Sequence, residues 1–139
     1  MTIESLIPHR GCMRLIDEVL DHGEGWILGR VSLTAESTFA TTQGVPAAVG
    51  LEYLAQCSAA LFTLAAVPGD PPRAGMLVSC RSYGADVAWF DCPGMLDLRV
   101  EQTSTLPAAG APGLVTFRGS ITGTGADLEV ARGEFSVVI

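Results

Sequence analysis

The stretch Gly44-Val45-Pro46-Ala47-Ala48-Val49-Gly50-Leu51-Glu52-Tyr53-Leu54-Ala55-Gln56 decides how the chain is read. Proline suits a first helical turn, because the N–H it lacks has no helical partner there. The Ala- and Leu-rich sequence carries a predicted helix from Pro46 to Ala66, about 30 Å long at ~1.5 Å per residue. Pro68-Gly69-Asp70-Pro71-Pro72 ends it. This helix is apolar on nearly every face, so it must be covered nearly all round. A curved antiparallel sheet wrapped around it, with a second copy closing the assembly, provides that cover.

Working outward, Ala35 to Gly44 is polar and reads as a loop. Met13 to Leu20 and Trp26 to Leu33 predict a hairpin joined by Asp21-His22-Gly23-Glu24-Gly25. In its second strand Trp26, Leu28, Arg30 and Ser32 alternate with Ile27, Gly29, Val31 and Leu33. Downstream, Met76 to Tyr83, Ala85 to Trp89, Met95 to Thr103, Gly113 to Thr122 and Asp127 to Ile139 are further strand-like runs, separated by Pro- and Gly-rich turns. A hairpin, one long helix and then several strands predict an α+β fold in one domain, 1–139.

Of the 139 residues, 48 % are apolar, enough to bury a core. A formal net charge of -7 argues against nucleic acid, whose phosphates need clustered cations. Every basic side chain is an arginine, and without lysine there is neither a Schiff base nor a P-loop. Cys12, Cys57, Cys80 and Cys92 have no C-x-x-C spacing and form no zinc pattern with His9 or His22. They read as free thiols in a reducing compartment, with no metal and no cofactor expected. Acidic Glu4 and the lack of a basic leader argue against a signal peptide. Glu52 and Gln56 interrupt the apolar stretch Val45 to Val67 and argue against a membrane span. The expected location is the cytoplasm.

Glu52 is the only charged side chain between Phe39 and Pro68. An ionised carboxylate in apolar surroundings is costly unless it is paired or hydrogen-bonded. Burial favours its neutral form, which makes it a candidate general acid or base. Gln56, four residues on, shares its helical face and can donate a hydrogen bond to it. The competing reading is a solvated stripe, although Ala48 and Ala59 offer Glu52 little polar company there. His9 lies in a constrained turn, Pro8-His9-Arg10-Gly11, and is either structural or functional. Arg10 reads equally as a surface cation, an ion-pair partner or a phosphate contact.

Two segments resemble the FabZ-type 3-hydroxyacyl-(acyl carrier protein) dehydratases. Leu6-Ile7-Pro8-His9-Arg10-Gly11-Cys12-Met13-Arg14-Leu15-Ile16-Asp17-Glu18-Val19 is similar to the family's opening L-x-P-H-R-x-P-x-L-L-x-D-x-V. Gly44-Val45-Pro46 through Glu52-x-x-Ala55-Gln56 is similar to its central helix, and closer still to the ApeP-like branch with G-V-P-A-x-V-G-x-E-Y-x-A-Q. Phe90-Asp91-Cys92-Pro93-Gly94 is a weaker match to a strand turn ending in Pro-Gly. The resemblance implies a hot-dog fold: a long central helix wrapped by an antiparallel sheet, dimeric through its sheets, with an acyl tunnel at the dimer interface. Typical members place a His of one protomer beside a Glu of the other. The Glu carries over to Glu52. The His does not, because its position, fourteen residues before the Glu, is Thr38 in Ser37-Thr38-Phe39-Ala40.

His9 is the expected replacement for that imidazole. The implied reaction is dehydration of a 3-hydroxyacyl thioester, on acyl carrier protein or CoA, with His9 as base toward C2 and a neutral Glu52 as acid toward the C3 hydroxyl. The developing enolate oxygen needs preorganised N–H donors. The helix start offers Gly44, Val45, Ala47 and Ala48, and Gly75 is a second place where backbone can approach a ligand. Gln56 and Arg10 complete the expected substrate-binding set. Arg10, Arg14, Arg73 and Arg81 are candidates for docking an acidic carrier protein. The expected assembly is a homodimer, with a higher oligomer or pairing with a paralogue as further options. A hot-dog thioesterase using Glu52 to activate water, and a non-catalytic acyl-binding subunit, are the rival readings.

Overall fold

A computed structural model describes residues 2–66, 76–104, 113–124 and 127–138. Among the described residues, eight strands and one α-helix follow one another in the order β1 (Glu18–Gly23), β2 (Trp26–Leu33), β3 (Val45–Pro46), α1 (Gly50–Ala65), β4 (Met76–Ala85), β5 (Trp89–Phe90), β6 (Gly94–Gln102), β7 (Leu114–Gly123) and β8 (Leu128–Val138). Short 3-10 turns occupy Ile3–Ser5, Gly11–Met13 and Ala47–Val49. Six strands form one antiparallel sheet in the order β1-β2-β6-β7-β8-β4, and β3 pairs with β5 in a small ribbon. This is the expected α+β arrangement, with α1 lying across one face of the sheet.

Period-two alternation dictates which face α1 covers. Ile27, Val31 and Leu33 of β2, Leu96, Leu98 and Val100 of β6, and Val115, Phe117 and Ile121 of β7 are all buried. The opposite face carries cross-strand charge pairs such as Arg30 with Asp97, 2.8 Å apart. Phe117 stacks on Phe135 and meets the edge of Phe62 from α1, each with ring centroids 5.5 Å apart.

The helix packs closely on the sheet at Gly119 of β7. A Cβ there would lie 2.8 Å from Leu54 Cδ1. Because Leu54 is fully buried and has nowhere to move, Gly119→Val should cost about 2 kcal/mol through overpacking. A urea titration should show a lower midpoint with an unchanged slope; an unchanged midpoint would refute this close approach.

Several boundaries depart from the sequence reading. The helix begins after Pro46 rather than at it, since Pro46 has ψ 132° and pairs with Trp89 in the β3–β5 ribbon. The hairpin loop shrinks to Glu24-Gly25, and Gly25 takes φ +75° in a tight turn. The first strand starts at Glu18, not Met13, because the backbone N–H groups of Leu15 and Ile16 bond to a helix side chain instead of a strand. The predicted Ala85–Trp89 strand divides: Ala85 ends β4, and Trp89 opens β5. The Cys92–Pro93 peptide is cis.

The segment Ala47–Ala65 is long and apolar enough by composition to cross a membrane, yet most of it is buried inside this fold. Strand β4 forms a sheet edge and is mostly exposed, including Val78, Cys80 and Arg81. A long unpaired edge of this kind is a template for another strand.

Burial raises the Cys57 thiol from 9.0 to about 12 and the Tyr83 phenol from 10.0 to about 12. Both groups remain neutral in the native state at pH values where an unfolded chain ionises. Their stabilisation is complete below the unfolded values and is lost as pH rises through the folded ones. Denaturant midpoints should therefore fall between pH 9.0 and about 12. A flat profile over that window would contradict the burial of these two side chains.

Candidate active site

One face of the helix carries Glu52, Gln56, Ala59 and Thr63, a spacing of four, three and four residues. The polar members of this stripe hold the N-terminal segment. The Thr63 hydroxyl donates to the Leu6 carbonyl at 2.7 Å. Gln56 Nε2 donates to the Met13 carbonyl at 2.8 Å. Gln56 Oε1 accepts from the Leu15 N–H at 2.9 Å and the Ile16 N–H at 3.4 Å. Ile3, Leu6, Ile7, Leu15 and Ile16 are buried in the same core as the helix.

Between these two anchors the chain turns through Pro8-His9-Arg10 and sets His9 over Glu52. His9 Nε2 lies 3.7 Å from Glu52 Oε1 within the same chain. Gln56 Nε2 also donates to Glu52 Oε1, at 3.3 Å. The imidazole is 24 % exposed and the carboxylate side chain 39 %. The expectation of a carboxylate held out of water is thus not met within one protomer. An apolar groove of about 830 Å³, which neither His9 nor Glu52 lines, lies between β5 and the ends of β2, β6, β7 and β8, lined by Leu33, Trp89, Phe90, Met95 and Leu128 among others.

The other expected site residues divide as follows. Gln56 is fully buried, and both ends of its amide are engaged by the protein, so it anchors the N-terminal segment and has no free group for a substrate. Arg10 directs its guanidinium to the carbonyls of Glu4 at 2.7 Å, Ile7 at 2.6 Å and His9 at 2.8 Å, which makes it a clamp on the His9 turn. The Gly44 N–H bonds to the Thr41 carbonyl and the Ala47 N–H to the Ala88 carbonyl, so neither faces a thioester oxygen. Val45 is fully buried in β3 opposite Phe90. Ala48 is exposed at the helix start, and its N–H has no partner among the described residues. Gly75 and Arg73 lie outside the described residues. Arg14 pairs with Glu4 and Asp17, while Arg81 is exposed on β4.

Two contacts went unread in the sequence. Thr63 was visible in principle, as the continuation of the Glu52–Gln56 stripe. Thr38, where the resemblance expects a histidine, donates from Oγ1 to the Cys12 carbonyl at 2.9 Å and so helps to hold the N-terminal segment. No sequence signal announces a bond to a distant backbone carbonyl.

Helix and sheet together define a hot-dog fold. A structure of the dehydratase heterocomplex ApeI:P from Xenorhabdus doucetiae superposes with TM-score 0.82, at 17 % identity over 99 % of this chain and 90 % of that one. The E. coli PaaI protein from the phenylacetic acid degradation operon gives 0.65, at 12 % identity over 88 % and 77 %. A hypothetical thioesterase with coenzyme A from Streptococcus pneumoniae TIGR4 gives 0.64, at 12 % identity over 87 % and 83 %. The curated proteins contain no sequence match to this chain. The chain belongs to the ApeP-like dehydratase family, whose model, described as ApeP dehydratase, matches residues 1–138.

Proposed function

We propose that the chain dehydrates a 3-hydroxyacyl thioester, carried on acyl carrier protein or CoA, to the trans-2-enoyl thioester, in fatty acid or aryl-polyene-type lipid biosynthesis. The carrying observation is the approach of His9 Nε2 to Glu52 Oε1, 3.7 Å apart in a chain of a dehydratase family. Dehydration needs one group to take a proton from C2 and one to deliver a proton to the departing C3 hydroxyl. Catalytic contacts are often long before substrate is bound, and 3.7 Å is within the range that tightens in a complex. The Ala48 N–H, at the positive end of α1, supports the negative thioester oxygen.

The exposed edge strand β4 and the part-exposed Glu52 favour a second hot-dog chain that covers the site. A homodimer satisfies this. Thr38 in the expected histidine position, together with the likeness to a dehydratase heterocomplex, favours a paralogue as the covering chain.

The test is to supply 3-hydroxyacyl thioester to the purified chain, alone and with its paralogue, and to separate enoyl product from free thiol. Enoyl thioester formation that drops in His9→Ala supports the reading. Thiol release without enoyl product would replace it with thioester hydrolysis. Full rate in His9→Ala would remove His9 from the site.

A further inference from the structure

The face of the sheet turned away from α1 carries its charges in two ordered rows. Glu101 of β6, Arg118 of β7 and Glu134 of β8 stand opposite one another in the first. Arg99, Ser120 and Arg132, two residues along each strand, form the second. Trp26 and Leu28 of β2 extend the first and second rows respectively. These side chains point outward, because Val100, between Arg99 and Glu101, is fully buried on the α1 side. The charged ones are between 40 % and 63 % exposed. A cavity of about 360 Å³ opens among them beside Ser120, the shortest side chain of the six.

The two rows are complementary to each other. A two-fold axis lying in the plane of the face, parallel to the rows and midway between them, exchanges one row with the other in a second copy. Glu101 then meets Arg99 of the second copy, Glu134 meets Arg132, and the long Arg118 side chain enters the cavity beside Ser120. Trp26 packs on Leu28. In the rows beyond, Thr116 and Ser136 meet Thr122 and Glu129, so no like charges oppose one another there either. Within one chain the same charges form exposed pairs, Arg99 with Glu101 at 2.9 Å and Arg118 with Glu134 at 3.5 Å, which add little to its stability.

We propose that this face joins two copies of the chain, stacked sheet on sheet about that axis with β7 crossing β7 at the centre. Such an interface is isologous, the same patch serving both copies. The sheet has six strands; at ~4.8 Å between strands and ~3.3 Å for each of ~8 residues it offers about 750 Å², close to the ~800 Å² that each partner buries in a stable complex. The chain carries a net charge of -7, yet the two rows hold three arginines against two glutamates. That local surplus offsets the repulsion between two acidic copies. Glu52 and α1 lie on the other side of the sheet, so this contact leaves room for the second chain proposed to cover the site.

Light scattering on the full-length chain reads the mass of the assembly. One double variant, Arg99→Glu with Arg132→Glu, makes both outer pairs acid against acid. A second, Glu101→Arg with Glu134→Arg, makes them base against base. Each alone should show half the mass of the unaltered chain, and an equimolar mixture of the two should recover the full mass, since every carboxylate again meets a guanidinium. Net charge cannot produce this pattern: the second variant is nearer neutrality than the unaltered chain and would associate more, not less. A mass that either variant retains, or a mixture that stays at half mass, would overturn the interface. The unaltered chain supplies an arm without substitutions. At about 1 M salt the screening length falls to ~3 Å, and the mass should halve; a mass indifferent to salt would contradict the proposal. None of these outcomes depends on whether the chain dehydrates anything.

Discussion

Glu52→Gln should lower kcat/KM for dehydration by about a thousandfold, within the range that acid–base groups contribute. The structure makes this a clean substitution. Glu52 Oε1 accepts from Gln56 Nε2, and the amide oxygen of a glutamine at position 52 can accept the same bond. Size and helix propensity scarcely change. The melting curve should therefore overlay that of the unaltered protein while the rate collapses, and steady-state assay beside thermal denaturation checks both halves. A variant that keeps its rate would remove the carboxylate from the chemistry. One that loses both fold and rate would make Glu52 structural.

Gln56→Leu should damage the fold severely. The side chain is fully buried and connects α1 to Met13, Leu15 and Ile16. Leucine fills a similar volume but leaves the buried N–H groups of Leu15 and Ile16 and the part-buried Met13 carbonyl without their partner, at ~1–3 kcal/mol for each buried group. The expected loss is about 3 kcal/mol or more, out of a total stability of about 5–15 kcal/mol for a domain. Thr63→Val removes the hydroxyl that donates to the Leu6 carbonyl, with the Ala59 carbonyl as a longer second acceptor, and should cost about 1 kcal/mol. Urea denaturation of the two variants measures the contrast. Equal, small losses would mean that the N-terminal segment is held by apolar packing alone. Because the same segment carries His9, Gln56→Leu should also lower activity in whatever fraction remains folded.

The sequence made the helix legible because its signals are local: Pro46 at one end, a Pro-Gly cluster beyond the other, and an apolar run between. The alternation of Trp26 to Leu33 likewise identifies a half-buried strand, and burial follows it residue by residue. Glu52 stood out by charge contrast alone. The misread features depend on partners distant in the chain. Met13 to Ile16 has strand-like composition, but Gln56 takes the backbone bonds that a ladder would have used. Arg10 sits in a family motif and looked able to meet a phosphate, yet the turn folds three carbonyls onto it. Backbone acceptors have no signature in a sequence, so neither set of contacts was legible in it. The two-residue strands β3 and β5 are too short to show periodicity, and their pairing closes off the Val45 and Ala47 backbone proposed for the thioester oxygen.

His9 and Glu52 meet because three side chains, Gln56, Thr63 and Arg10, fold the N-terminal segment back along α1. That links the N-terminal and helix motifs of the resemblance. The first supplies the imidazole and the turn that presents it, and the second supplies the carboxylate and the stripe that holds the turn. Part of the carboxylate remains open to solvent in one chain, and covering it falls to the second chain proposed above.

Proton transfer at C2 of the acyl chain is the step on which this account depends. Incubation of the assembled protein with 2-enoyl thioester in heavy water, followed by mass spectrometry of the recovered acyl group, reads it directly, because dehydration runs in reverse by adding water across the double bond. The expected result is one deuterium on carbon at C2 of the 3-hydroxyacyl product, formed by the unaltered chain and absent with Glu52→Gln. Release of free thiol with no deuterium at C2, or labelling that persists in Glu52→Gln, would contradict it.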